Sequence, residues 1–266
     1  MSNLSRNSLK AIKIKATKGY TLIELMISVS LGVAMIAIAL QYLVGASASF
    51  NATETAGRIQ ENGRFALSMI TDELRLAGYG NPNAGSRPGF FYTLACGGFD
   101  PCTMNGAGTD SDRIAIWSDP PPDDGSETDC TASAIGANIQ IANVYYLETS
   151  ATGVTSLMCR GFDVTASAWV AAAQPLLDGI ENMQILYGVT DADDSISRYI
   201  SADNVADWND VVSVRLAILV STGLEDGGSG LDTRTYELLD APELSYTDTF
   251  NRRVFSTTVV INNAII

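Results

Sequence analysis

Apolar residues run from Leu25 to Val44 without a single charge, twenty residues reading LMISVSLGVAMIAIALQYLV. At about 1.5 Å per residue this is a helix of roughly 30 Å, the thickness of a bilayer core. A different rhythm follows. Ile59, Gly63, Ala66, Ile70, Leu74 and Ala77 recur every three or four positions and form one face of a helix. Arg58, Glu61, Arg64, Asp72 and Arg75 fall on the other side, with Glu61–Arg64 and Asp72–Arg75 spaced for ion pairs one turn apart. No proline occurs between Met1 and Pro82, and Gly78-Tyr79-Gly80-Asn81-Pro82 stops the pattern. The spacing predicts one helix from about Tyr20 to about Ala77. Its first half is apolar all round, its second half amphipathic, and Gly45 and Gly57 are places where it can loosen.

From Asp112 onward the period shortens to that of strands. DRIAIWS, NIQIANVYYLET, GVTSLMC, SAWVAAAQPLL, NMQILYGVT, DVVSVRLAILVS, TYELLD and RRVFSTTVVIN are rich in β-branched and aromatic residues and are separated by Gly, Asp, Asn and Ser. The fold class expected is α+β: a long N-terminal helix packed on a mostly antiparallel β-sheet head. The helical segment takes residues 20–80, membrane-spanning over 20–48 and amphipathic over 49–78, and the β-rich head takes 81–266.

Charge sharpens this division. All four lysines (Lys10, Lys13, Lys15, Lys18) and Arg6 precede Tyr20, with no acid among them. Beyond Gly19, eleven arginines face thirty acids, a net charge of −19. An acidic body repels phosphate backbones, so no nucleic acid is expected as a partner. A short basic flank beside an apolar run stays in the cytoplasm, which places the acidic head on the far side of the membrane.

Candidate chemistry is sparse. The chain has no histidine, which removes Ser-His-Asp and Cys-His catalysis and every His-ligated metal site. Cys96, Cys102, Cys130 and Cys159 include no C-x-x-C pair, and four cysteines in an exported head read as two disulfides. Nearness in sequence favours Cys96–Cys102 and Cys130–Cys159 among the three possible pairings. Asp191-Ala192-Asp193-Asp194-Ser195 has Ile196 and Ala202 where a calcium loop needs Gly and Glu, so it reads as an exposed acidic loop. Pro120-Pro121-Pro122-Asp123-Asp124 reads as a rigid acidic turn, and Asp226-Gly227-Gly228-Ser229-Gly230 as a hairpin lacking the Gly-Lys-Ser/Thr of a phosphate loop. Pairs such as Asp110 and Asp112 arise by chance among thirty acids. No enzyme, cofactor or metal is expected.

The N-terminus carries a more specific pattern. An ordinary secretory signal, cut near Ala46-Ser47-Ala48, is one reading of the apolar run, but the run exceeds the usual length of about 7–15 residues. Glu24 also stands at its start, and a lone carboxylate at the edge of hydrocarbon is costly. Lys18-Gly19-Tyr20-Thr21-Leu22-Ile23-Glu24-Leu25 resembles the type IV prepilin processing site, with Tyr20 where that family usually has Phe. The resemblance implies that residues 1–19 are a leader removed by prepilin peptidase, by a cut between Gly19 and Tyr20. It also implies N-methylation of Tyr20. Under this reading Glu24 meets the N-terminal amine of a neighbouring subunit and sets the register of assembly.

Two further stretches, Glu61-Asn62-Gly63-Arg64-Phe65-Ala66-Leu67 and Asp72-Glu73-Leu74-Arg75-Leu76-Ala77-Gly78-Tyr79, resemble the signature of the PilW family of type IV pilus minor pilins. Ile180–Val189, Val212–Ala217 and Arg253–Val259 resemble that family's strands, while residues 82–175 match no motif, and Ile261–Ile266 depart from the basic ending expected. The resemblance implies a type IV pilin fold and a structural minor pilin, in a priming or tip complex with other minor and major pilins. It implies an inner-membrane, single-pass chain with a periplasmic head, an inner-membrane assembly platform as partner, and later a place in the extracellular pilus. The alternatives are a GspJ-like minor pseudopilin of type II secretion and a pilus-tip adhesin using residues 82–175.

Overall fold

The computed structural model describes residues 19–80, 89–90, 92, 95–119, 125–137, 139–191, 195–222 and 231–263. The leader up to Lys18, the Pro120–Asp124 turn, Asp193 and Asp194, and the Gly-rich 226–230 lie outside the described residues, as do residues 264–266. The chain divides into two compact units, Met1–Phe50 and Asn51–Ile266.

Helix α1 runs Leu22–Leu76, and neither Gly45 nor Gly57 interrupts it. Within the first unit its large apolar side chains, from Leu22 to Phe50, are all more than half exposed, Leu40 being the least so at 56%. An apolar surface of this extent must be covered by lipid or by other helices. It contains a window long and apolar enough to cross a membrane.

In the second unit the helical face foreseen from the sequence is the one that packs. Ile59, Gly63, Ala66, Ile70 and Leu74 are buried, and Ala77 with them. Of the two expected ion pairs, only Arg75–Asp72 forms, at 3.2 Å across an exposed surface. Arg64 has no ion-pair partner among the described residues. The helix ends where Gly78 takes φ +75°, a left-handed turn that favours glycine. Gly78 N–H donates to Trp117 O (3.0 Å) and Asp119 N–H to Tyr79 O (2.8 Å), tying this end to the sheet. Asn263 Nδ2 donates to the Arg75 and Ala77 carbonyls (3.3 and 3.4 Å), which the helix itself leaves unpaired.

The sheets are antiparallel throughout. One has five strands: β1 (Ile114–Ser118), β2 (Ile141–Thr149), β3 (Thr155–Asp163), β4 (Ala168–Trp169) and β5 (Gln174–Asp178), in the order β1-β2-β3-β4 with β5 also on β3. The second contains β6 (Ile180–Thr190), β7 (Ile196–Ile200), β8 (Val211–Ser221) and β11 (Arg252–Val260), in the order β11-β8-β6-β7. A small ribbon pairs β9 (Thr235–Tyr236) with β10 (Leu244–Ser245).

Strand β8 is buried on both faces, and the reason is visible on each side. Val214, Leu216, Ile218 and Val220 join α1 in the main core. Ala217 and Leu219 pack instead on Tyr236, Leu238 and Leu244 from the ribbon segment. A strand covered on both faces reads as a continuous apolar run, as VVSVRLAILVS does. Strands β7 and β10 were not foreseen. ISRYI is largely exposed and Leu244–Ser245 is two residues long, so neither carries an apolar alternation.

Candidate assembly site

The first candidate cluster lies at the start of α1. Tyr20 is 88% exposed, and Gly19 precedes it in open space. Thr21 ends the non-helical lead-in. Its hydroxyl accepts from the Glu24 N–H (3.3 Å), and its own N–H donates back to Glu24 Oε2 (3.3 Å). This reciprocal arrangement is a capping box, Thr-x-x-Glu, which satisfies two donors that a helix start otherwise leaves free. Glu24 therefore has a partner within its own chain as well as any partner offered by a neighbour. The Thr-x-x-Glu spacing is plain in the sequence and is obscured there only by the attention that a carboxylate beside hydrocarbon attracts. Farther along, the Ser28 and Ser30 hydroxyls donate to the Glu24 and Met26 carbonyls (2.7 and 2.8 Å), so neither presents a free polar group to an apolar medium.

The second cluster is in the head. The structure joins Cys96 to Cys102 and Cys130 to Cys159, with Cα separations of 5.4 and 6.2 Å. The short loop is buttressed by Arg113, whose guanidinium donates to Cys102 O (2.9 Å) and Pro101 O (2.7 Å) and lies over the Phe99 ring. The long loop closes residues 130–159 onto β3. Just before it, Asp129 Oδ1 accepts from the Thr131 and Ser133 N–H groups and from the Thr131 hydroxyl. Asn143 on β2 links this loop to α1: its side-chain oxygen accepts from Cys130 N–H (3.1 Å) and its amide donates to Glu73 Oε2 (3.2 Å). Burial pushes the Glu73 carboxyl above its ordinary range, against the lowering effect of the Asn143 bond. Glu73 belongs to the Asp72–Tyr79 stretch, and its position on the sheet side of the helix gives that residue a structural purpose.

Two more polar clusters hold the head, and neither was foreseen. Asp112, 2% exposed, accepts from Gly106 N–H (2.7 Å) through Oδ1 and from Ile185 N–H (2.6 Å) through Oδ2. Burial pushes its carboxyl up to about 7, outweighing these two bonds. Asn182 and Gln184 on β6 donate to the Thr109 and Asp110 carbonyls (2.8 and 2.9 Å), so the loop is stitched to β6 at several points. At the first residues of the same strand, the buried Arg252 guanidinium binds Glu181 and Asp248 and stacks 3.7 Å from the Tyr246 ring centre. Arg252 holds the Asp248 carboxyl below its ordinary range. Single acids and arginines scattered over the sequence give no signal for such pairings, which join positions about seventy residues apart.

The described residues include no group of three or more His, Cys, Asp or Glu side chains suited to a metal. Gly19, Tyr20 and Glu24 come together at one helix start, and the cysteines lie in the second unit as two separate staples.

The family model described as type IV pilus-assembly protein W matches residues 144–263. That range runs from within β2 past β11. Among solved structures, the chain is similar to the type IV-like pilin TTHA1219 from Thermus thermophilus, with 14% identity and a TM-score of 0.46. The match covers 78% of this chain and 98% of that one. No curated protein matches.

Proposed function

We propose that this chain is a minor pilin, a structural subunit that primes or tips a type IV pilus, because the family model of type IV pilus-assembly protein W matches its residues 144–263. The observation that carries this reading is that family match, in a chain whose first unit, over its described residues, is an apolar helix with none of them buried. A pilus subunit needs a helix that lipid covers before assembly and other subunits cover afterwards. In this reading a prepilin peptidase cuts between Gly19 and Tyr20, Tyr20 is N-methylated, and the helix start carrying Glu24 meets a neighbour. The head lies in the periplasm until the subunit enters the filament. Its partners are other minor and major pilins and the inner-membrane assembly platform. Its work is mechanical, which fits a head stitched by two disulfides and buried ion pairs rather than shaped around a substrate.

Deletion of the gene, with complementation, tests the reading. Pili and twitching should be lost while protein secretion stays intact. Loss of secretion with pili retained would assign the chain to a type II secretion pseudopilus instead.

A further inference from the structure

Strand β11 closes one edge of its sheet, and the direction of its free backbone groups can be read from the ends. Thr222 N–H donates to Asn251 O, and Ile261 N–H donates to Val212 O. Odd-numbered positions therefore face β8, since peptide groups alternate along an antiparallel ladder. Even-numbered positions turn the other way, so the N–H and C=O groups of Val254, Ser256 and Thr258 point outward from the sheet. No strand pairs with them there, and no hydrogen bond to them is formed among the described residues. A row of unpaired groups on a long edge is a template for another strand.

This edge opens onto a groove of about 830 Å³ between β11 and the second half of α1. Leu67 and Phe255 supply apolar surface in the groove, and Ser68, Thr71, Ser256 and Thr257 supply hydroxyls. Arg64 on the helix and Arg253 on the strand stand along it with no carboxylate partner among the described residues. Arg75 also lines it but is held by Asp72. Glu61 lines the groove as well, also without an ion-pair partner among the described residues, so Arg64, Arg75 and Arg253 against Glu61 and Asp72 leave a surplus of one positive charge there, in a chain that beyond Gly19 carries a net charge of −19.

We propose that the β11 edge and its groove receive an extended, acidic segment of a different protein, added as a fifth strand beside β11. Main-chain bonds to Val254, Ser256 and Thr258 supply the attachment, and alternate acidic side chains meet Arg64 and Arg253. A second copy of this chain is a poor occupant: antiparallel pairing about Ser256 brings the two strongly acidic bodies together and supplies no acidic strand to either pair of Arg64 and Arg253.

The probe is a synthetic nine-residue peptide alternating valine with glutamate, matched in length to β11, with a lysine-for-glutamate peptide as control. Binding is read by fluorescence anisotropy on the full chain in non-ionic detergent, and amide exchange is followed on β11. The glutamate peptide should bind saturably and slow exchange at Val254, Ser256 and Thr258, and the lysine peptide should not. Ser256→Pro removes an outward N–H that β8 does not use, so the sheet should keep its melting temperature. Ser256→Pro, which removes a main-chain bond, and the surface change Arg253→Glu, which removes a charge-assisted one, should each weaken binding about tenfold. Absence of binding by the glutamate peptide overturns the assignment, as does equal binding of the lysine peptide or undiminished binding to Arg253→Glu. The test uses no pilus component, so its failure leaves the pilus reading standing, and failure of that reading leaves this result unaffected.

Discussion

The ring of Phe255 lies directly against the backbone of Gly63, so that a methyl group added at Gly63 would stand 2.4 Å from the nearest ring carbon. Helix α1 and strand β11 approach this closely because one position on the helix has no side chain. Gly63 lies in the Glu61–Leu67 stretch, and the contact explains its glycine where mid-helix glycine otherwise costs about 1 kcal/mol.

Gly63→Ala is therefore expected to destabilise the head by about 1–3 kcal/mol, since overpacking outweighs the gain in helix propensity. Thermal unfolding should show a lowered midpoint, and Phe255→Leu should recover part of it in the double variant. Equal stability of Gly63→Ala and the parent would mean that the ring moves aside freely.

The helix and its packing face were legible because they rest on local periodicity. The buried set, Ile59 to Ala77, is the set that the three-and-four spacing picks out. Most strands from Asp112 onward were legible for a similar reason, but the exposed Ile196–Ile200 and the two-residue Leu244–Ser245 were not, the stretch 167–177 read as one strand forms β4 and β5 separately, and TYELLD is strand only at Thr235–Tyr236. What joins the elements was not legible. Glu73 to Asn143, Asp112 to Ile185 and Arg252 to Glu181 each connect positions about seventy residues apart, and only the folded register brings them together. The Glu61–Arg64 pair shows the opposite failure: spacing permits it, yet exposed pairs gain little and this one does not form.

The two disulfides should contribute unequally. Cys130 and Cys159 are 29 positions apart and Cys96 and Cys102 only 6. Replacing Cys130 and Cys159 with serine should cost about 3 kcal/mol in the loop-entropy account, and the short staple less. Denaturant unfolding of the two double variants gives the comparison. The long loop also carries the Cys130–Asn143–Glu73 chain, so its loss should speed amide exchange in the C-terminal half of α1.

Asp112 should give the head a pH-dependent stability. Its folded carboxyl titrates at about 7, above the ordinary value of 3.8. The folded state then holds the proton more tightly than the unfolded chain. The contribution is fully present below the unfolded value and is lost as pH rises through about 7. Melting temperature from pH 4 to 8 should fall more steeply for the parent than for Asp112→Asn. Parallel profiles would show that Asp112 titrates normally despite its burial. The Asp248 carboxyl, lowered by Arg252, acts in the opposite sense, and its contribution is lost only as pH drops below the ordinary carboxyl range.

Glu24 has two candidate roles that a pair of substitutions separates. Glu24→Gln keeps an oxygen able to accept from Thr21 N–H, as capping boxes allow, but loses the charge. Glu24→Ala loses both. Both variants should insert in the membrane and be cleaved after Gly19. If the charge meets a neighbour's amine, both should fail to enter the pilus. Assembly of Glu24→Gln alongside failure of Glu24→Ala would make the helix cap the important function.

Mass spectrometry of the chain recovered from sheared pili and from the native membrane tests the central claim most directly. A pilus subunit should begin at N-methylated Tyr20, with residues 1–19 gone and the apolar run retained, and this form should be present in the pilus fraction. A chain beginning at Ser49, with the apolar run lost as in an ordinary signal peptide, would contradict the account.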